Sequence, residues 1–279
     1  LDIGTGKITR SEMGGIPHHM LDILDPLEAN AAGPQSSYSV AEYKRDAELA
    51  IAEIVQRGNI PILCGGTGQY IDAIIFNQSF PDVEPDDALR AELEPKTIEE
   101  VTEIFNTLNK DKDGNDQLHS VDMQNKRRII RAIEILKELG HIPPIVKDER
   151  FNSLWIGIDT DDETLKNRIS RRLDKRLQAG MIEESQRLLE GSKLTLERMQ
   201  KLGLEYAHIA DFLATPANAD DLAAFKEGLN MAIWHYAKRQ RTWFRRNEAI
   251  HWLLTSDVNQ MTIDEVKEKA FDLTNEFFR

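Results

Sequence analysis

Apolar residues fall along this chain in two rhythms, short unbroken runs and stripes recurring every three or four positions. The stretch from Asn59 to Ile75, NIPILCGGTGQYIDAII, holds both. Ile60-Pro61-Ile62-Leu63-Cys64 has the pattern of a strand buried on both faces. Gly65-Gly66-Thr67-Gly68 interrupts it, after which Tyr70, Ile71, Ile74 and Ile75 recur at helical spacing. Strand, glycine turn and helix in that order build a site at the carboxyl end of a sheet. The glycines let backbone approach a ligand, and N–H groups at the helix start favour anions. A tight βα turn without a ligand would also account for the glycines.

On either side the same rhythms continue. Ser39-Val40-Ala41-Glu42 reads as an N-cap opening a helix of about 17 residues that ends at Gly58. Ala47, Leu49, Ala50, Ile51, Ile54 and Val55 give that helix an apolar face, and with the Ile60 run it predicts an αβα unit of a parallel sheet. Small residues from Ala29 to Ser37 read as a linker. Composition shifts at Phe80-Pro81-Asp82-Val83-Glu84-Pro85, and from there to about Pro144 the pattern is helical, an inserted subdomain. Leu154-Trp155-Ile156-Gly157-Ile158-Asp159 returns to strand character. A basic helix follows (Lys166, Arg168, Arg171, Arg172, Lys175, Arg176), stopped by Gly180. A long helix from about Leu222 to Arg246, a strand at His251-Trp252-Leu253-Leu254 and a terminal helix complete the chain. The expected division is 1–85 for the first part of an α/β core, 86–150 for a helical insertion, and 151–279 for the rest of the core with C-terminal helices.

Composition narrows the class. A chain of 279 residues with 41% hydrophobic content can bury a sizeable core in one or two domains. No apolar run is long enough to span a membrane, and no basic-then-apolar leader is present. The single cysteine, Cys64, excludes a disulfide framework and a cysteine-rich zinc site, which fits a cytoplasmic protein. A net charge of −13 argues mildly against a nucleic-acid partner, although clustering of cations matters more than their total.

Several patterns invite chemistry and fail. Gly6-Lys7 lacks the Ser or Thr that a phosphate-binding P-loop places after its lysine, because Ile8 stands there, and Leu1 occupies the place of the loop's first glycine. His18 and His19 diverge in extended chain, so they suit a loop positioning polar groups better than joint ligation of a metal. Asn109 to Asn115 imitates the opening of a calcium-binding loop, but Ser120 replaces the bidentate glutamate. Arg127, Arg128 and Arg131 recur at helical spacing. They suit phosphate contacts, or equally a solvated face paired with Glu134 and Glu138. His235 to Arg246 interleaves aromatics with cations, as a nucleic-acid or pyrophosphate surface would, while Trp243 and Phe244 equally suit a core.

Taken in order, DIGTGK, GIPHHMLDILDP, the Ser39-Val40 helix start, IPILCGGTGQYI, RRIIRAIEI, LGLEY and AKRQRTWFR resemble the bacterial tRNA dimethylallyltransferases, from Leu1 to about Leu253. The resemblance implies a P-loop NTPase-like parallel-sheet core with an inserted helical subdomain that grips a tRNA anticodon stem-loop. It further implies transfer of a dimethylallyl group from dimethylallyl diphosphate to N6 of the adenine 3′ of the anticodon, in a monomer using Mg2+. A base must leave its stack before its amine can be alkylated, and the amine must lose a proton to a base. In the family the pyrophosphate loop and the aspartate base precede the DIGTGK motif. The expectation for these 279 residues is therefore weak tRNA binding and little transfer.

Residue by residue, the resemblance places tRNA contacts at Thr67, Arg90, Arg127, Arg128, Arg131, Lys201, Gly203 and Tyr206. A substrate pocket falls at Gly65, Gly66, His18, His19 and Asp22, and diphosphate contacts at Lys238, Arg239 or Arg241. No protein-held metal site is expected. Ile233-Trp234-His235 departs from the Thr-Arg-Gln usual in the family, whose arginine reaches the diphosphate. That departure leaves open a tRNA-binding protein without catalysis. A P-loop small-molecule kinase would need a phosphate loop and a nucleoside pocket, and neither is visible.

Overall fold

Ser39 caps the first helix, α1 (Val40–Gln56), accepting the N–H of Glu42 while the Glu42 carboxylate accepts the N–H of Ser39. Two orphan donors are thereby satisfied at once. This chain was described by a computed structural model covering residues 1–26, 38–110, 121–144, 146, 148–191, 194–215, 219–255 and 261–279. The linker expected at 29–37 and the calcium-like stretch at 111–115 lie outside the described residues.

Two compact units emerge, Leu1–Ile71 with Asn152–Arg279, and Asp72–Phe151. The sequence boundary between them falls inside α2 (Gly68–Ile75). The second unit holds α3 (Asp87–Leu93), α4 (Ile98–Leu108) and α5 (Lys126–Leu139). These helices close over Leu93, Val101, Phe105, Ile129 and Ile133, all buried. Asp86, Thr97 and Asn125 supply the caps, each side chain accepting an N–H three residues on.

In the first unit β1 (Trp155–Thr160) runs into α6 (Asp162–Gln178), α7 (Met181–Gly191), α8 (Leu196–Gln200), α9 (Leu204–Leu213) and the long α10 (Ala219–Phe244). The chain then forms β2 (Ile250–Thr255) and α11 (Ile263–Phe277). β1 and β2 pair in parallel, Trp155 opposite Ile250 and Thr160 opposite Thr255. Parallel partners need a long crossover, here, among the described residues, the helices α6 to α10. The core sits among those helices, where Leu173, Met181, Met199, Ile209 and Leu229 are buried. Burying a side chain such as Leu229 stabilises by about 2 kcal/mol.

The chain is thus helix-rich α/β with a small parallel sheet. One expected strand is missing. Among the described residues Ile60 to Cys64 joins no strand, and Ile62 is 86% exposed. A strand needs a hydrogen-bonded neighbour, and among the described residues only β1 and β2 pair as strands. The αβα unit predicted around that run is accordingly not formed. The opening LDIGTGK is a turn rather than a strand end, closed by Gly6 N–H to Ile3 O at 3.1 Å and Lys7 N–H to Asp2 O at 3.0 Å.

Candidate functional site

The glycine turn lies flat against α10. A Cβ on Gly68 would fall 2.0 Å from Trp243 Cδ1, and one on Gly66 would fall 2.2 Å from Gln240 Nε2. The indole is rigid, so only glycine permits this approach at position 68. Thr67, between them, is exposed, with its hydroxyl oxygen 3.4 Å from that of Tyr236. Gly65 faces open space. Tyr70, on the helix the turn opens, stacks on Tyr43 at 4.5 Å between centroids and 16° between planes. Burial raises both phenols, with Tyr236 adding to the effect at Tyr70 and Tyr70 at Tyr43. Glycines, hydroxyls and aromatic rings therefore meet beside one helix face.

That helix carries the cations. His235, Lys238, Arg239, Thr242, Trp243 and Arg246 line a groove of about 510 Å³. Arg239 lies over the Tyr236 ring at 5.6 Å and Arg246 over Trp243 at 4.1 Å, while Lys238 and Arg239 are exposed. Arg241, the third diphosphate candidate, is elsewhere. Its Nε donates to Asp159 at 2.7 Å and its Nη1 to Asp162 at 2.5 Å, and its Nη2 donates to the Thr160 carbonyl. Arg241 is 12% exposed, a brace between α10 and the end of β1 rather than a cation offered to a ligand.

The DIGTG turn is gripped from below. The Glu184 carboxylate accepts the N–H groups of Asp2 at 2.8 Å, Ile3 at 3.1 Å and Gly4 at 3.2 Å, and the Tyr206 hydroxyl at 2.9 Å. Burial pushes this carboxyl up, but the donors outweigh it and hold it below its ordinary range. The same burial, with the Glu184 charge beside it, drives the Tyr206 phenol far above its usual value. Arg176 donates to the Gly4 carbonyl at 3.2 Å and pairs with Glu205 at 3.3 Å. Gly6, at φ +62°, leaves room for that guanidinium, which a Cβ there would meet at 1.8 Å.

Tyr206 was expected at a tRNA contact. It is instead 2% exposed and pins the DIGTG turn, because its ring packs into the core cluster of the helices. Lys201 and Gly203 stay at the surface ahead of α9, Lys201 paired with Glu197 at 3.0 Å. His18, His19 and Asp22 are exposed, His18 held by the Ile16 carbonyl at 2.9 Å and Asp22 by Lys7.

The second unit has its own centre. Glu134, only 1% exposed, receives Arg90 through Nε at 2.6 Å and Nη2 at 3.1 Å, Arg131 through Nη1 at 2.9 Å, and the Asp86 N–H at 3.1 Å. Arg131 also donates to the Val83 carbonyl at 2.7 Å. The pairing reading therefore holds for Arg131, while Arg128 pairs with Asp122 at 3.0 Å and Arg127 is exposed on α5. Two guanidinium groups on one carboxylate are held rigidly in place.

Residue spacing did not reveal Glu184, Tyr43, Tyr70 or the bridging role of Glu134. Each acts across a gap in sequence that only the fold closes. Among the described residues no three His, Cys, Asp or Glu side chains converge on one point. These side chains therefore do not fit a protein-built Mg2+ cage.

Residues 1–247 match the model of the IPP transferase family. The chain belongs to that family. A tRNA dimethylallyltransferase of Bacillus licheniformis is 34% identical over 97% of this chain and 83% of its own length. The tRNA dimethylallyltransferase 2 of Shewanella sediminis is 36% identical over 95% of this chain and 84% of its own. Among solved structures, the full-length tRNA isopentenylpyrophosphate transferase of Bacillus halodurans superposes with a TM-score of 0.66 at 30% identity, over 99% of this chain and 83% of that one. A eukaryotic dimethylallyltransferase acting on tRNA shares the IPP transferase fold, with a TM-score of 0.69 at 21% identity, over 99% of this chain and 69% of that one.

Proposed function

We propose that this protein transfers a dimethylallyl group from dimethylallyl diphosphate to N6 of the adenine 3′ of the anticodon in tRNA. The observation that carries the reading is kinship with tRNA dimethylallyltransferases over almost the whole chain. In the reaction the C1–O bond to diphosphate breaks, the N6–C1 bond forms, diphosphate leaves, and N6 gives up a proton. Such a transfer needs an extruded base, a held diphosphate and a gripped stem-loop.

The described side chains suit parts of these tasks. Thr67 and Tyr236 present hydroxyls at the glycine turn beside Gly65 and Gly66, where a base edge can be hydrogen-bonded. Lys238 and Arg239 offer exposed cations to diphosphate. Arg90 and Arg131, set by Glu134, with Arg127 and Arg128 on the same helix as Arg131, suit contacts to tRNA phosphates. A P-loop NTPase-like core and a cytoplasmic setting belong to the same reading.

The test incubates the protein with dimethylallyl diphosphate, Mg2+ and an unmodified tRNA whose anticodon is followed by adenine. N6-dimethylallyl-adenosine found by mass spectrometry of the nucleosides supports the transfer and overturns the expectation of little transfer from these 279 residues. Retention of tRNA without product would favour the second reading, a tRNA-binding member of the family lacking transfer, to which Trp234 points.

A further inference from the structure

Trp234 shares a face of α10 with Lys238 and Arg241, four and seven residues on. Its ring packs partly against the helical core, which fixes its orientation. Two ammonium groups converge on it, Lys166 Nζ at 4.9 Å from the ring centroid and Lys238 Nζ at 5.9 Å. Lys166 stands one turn into α6, the helix that leaves the carboxyl end of β1, where α/β folds bind their ligands.

Most neighbouring acidic groups have partners of their own. Arg241 takes Asp159 and Asp162, Asp161 caps α6 by accepting the Thr164 N–H, and Glu163, in the same first turn, is exposed. Among the described residues neither Lys166 nor Lys238 makes an ion pair, and both are exposed. The ring's negative face attracts each ammonium group but neutralises neither charge. The arrangement gains most from a compact ligand carrying more than one negative charge.

We propose that Lys166 and Lys238 form a diphosphate subsite, with Trp234 as the positioning residue that sets both ammonium groups. Kinship assigns no role to Lys166, and the ring at Trp234 supplies no charge of its own. The identification of the ligand as the leaving diphosphate of the prenyl donor rests on the proposed transfer. Phosphate oxyanions could also come from the tRNA backbone, whose charges are spread along the strand rather than clustered at one point.

The experiment titrates inorganic pyrophosphate by calorimetry into wild type, Lys166→Met, Trp234→Phe and Trp234→Leu, with tRNA retention measured beside it. Lys166→Met and Trp234→Leu are expected to weaken pyrophosphate binding by about tenfold, the scale of one lost charge-assisted contact. Trp234→Phe, which keeps an aromatic face, is expected to stay within about threefold of wild type, and tRNA retention is expected to be unchanged. In turnover, KM for dimethylallyl diphosphate rises while kcat holds. Lys166 is exposed, so its variant keeps the test valid even where Trp234→Leu fails to fold. Unchanged pyrophosphate affinity in Lys166→Met overturns the subsite, as does weakened tRNA retention with pyrophosphate binding intact. Lys166-dependent pyrophosphate binding without product from wild type supports the subsite and defeats the transfer reading. Product with unaltered KM in the variants does the reverse.

Discussion

Arg241 and Asp159, 82 positions apart in sequence, meet through a 2.7 Å bond between Nε and Oδ1, each side chain 12% exposed. The pair ties the last turns of α10 to the end of β1, and the adjacent bond to Asp162 adds the first turn of α6. Removing one member leaves a charge with little water around it. Arg241→Met is expected to destabilise the protein by about 3 kcal/mol, the low end for a broken buried pair. The double variant with Asp159→Leu is expected to recover part of that loss. Urea unfolding of the single and double variants measures both.

Glu134 makes a parallel claim about the other unit. Glu134→Gln keeps the shape but removes the charge that orients Arg90 and Arg131. Stability is expected to fall by about 3 kcal/mol, read as a lower Tm. Retention of tRNA is expected to weaken with a shallower salt dependence, because two guanidinium groups are no longer held in register. Filter binding across a salt series gives the slope.

Glu184 ties stability to pH. Its folded carboxyl titrates below its unfolded one, so its contribution is complete above the ordinary glutamate value of about 4.3 and is lost as the pH falls through the lower folded value. Tyr206 behaves oppositely in position and alike in sign. Its raised phenol contributes fully below the ordinary tyrosine value of about 10 and loses its contribution as the pH climbs through the folded value. Denaturation of wild type against Glu184→Gln is expected to show a gap that is constant at neutral pH and closes only in acid.

Gly68→Ala and Gly65→Ala should part company although both change a glycine of one turn. The first places a methyl 2.0 Å from the Trp243 ring, whereas the second points into open space. Overpacking against a rigid ring costs about 1–3 kcal/mol and displaces Thr67. Gly68→Ala is therefore expected to lose stability that Gly65→Ala keeps, as urea unfolding would show.

Local chemistry was legible in the sequence. Ser39 with Glu42 gave the start of α1, and the apolar runs near Trp155 and His251 gave β1 and β2. The basic helix and the long aromatic-cationic helix fell where periodicity put them. Pairing across distance was not legible. Ile60 to Cys64 has the composition of a buried strand, but composition does not supply the neighbour that a strand requires. Lys238, Arg239 and Arg241 are equivalent within a basic run, and Asp159, Asp162 and the Thr160 carbonyl distinguish the last of them. Tyr206 sits in a motif that resembles an RNA contact, yet its ring is core, because the apolar face of α9 turns it inward.

The uncovered run from Ile60 to Leu63 bears on how the protein behaves in a tube. Ile60 is 60% exposed and Ile62 86%, with no ladder partner among the described residues. The exposed isoleucines of this run give other chains an apolar surface to adhere to, while Pro61, which has no N–H, does not support an added strand. Colloidal behaviour should then depend on a few side chains far more than on the net charge of −13. A single lysine at Ile62 is expected to suppress concentration-dependent light scattering without moving the melting temperature.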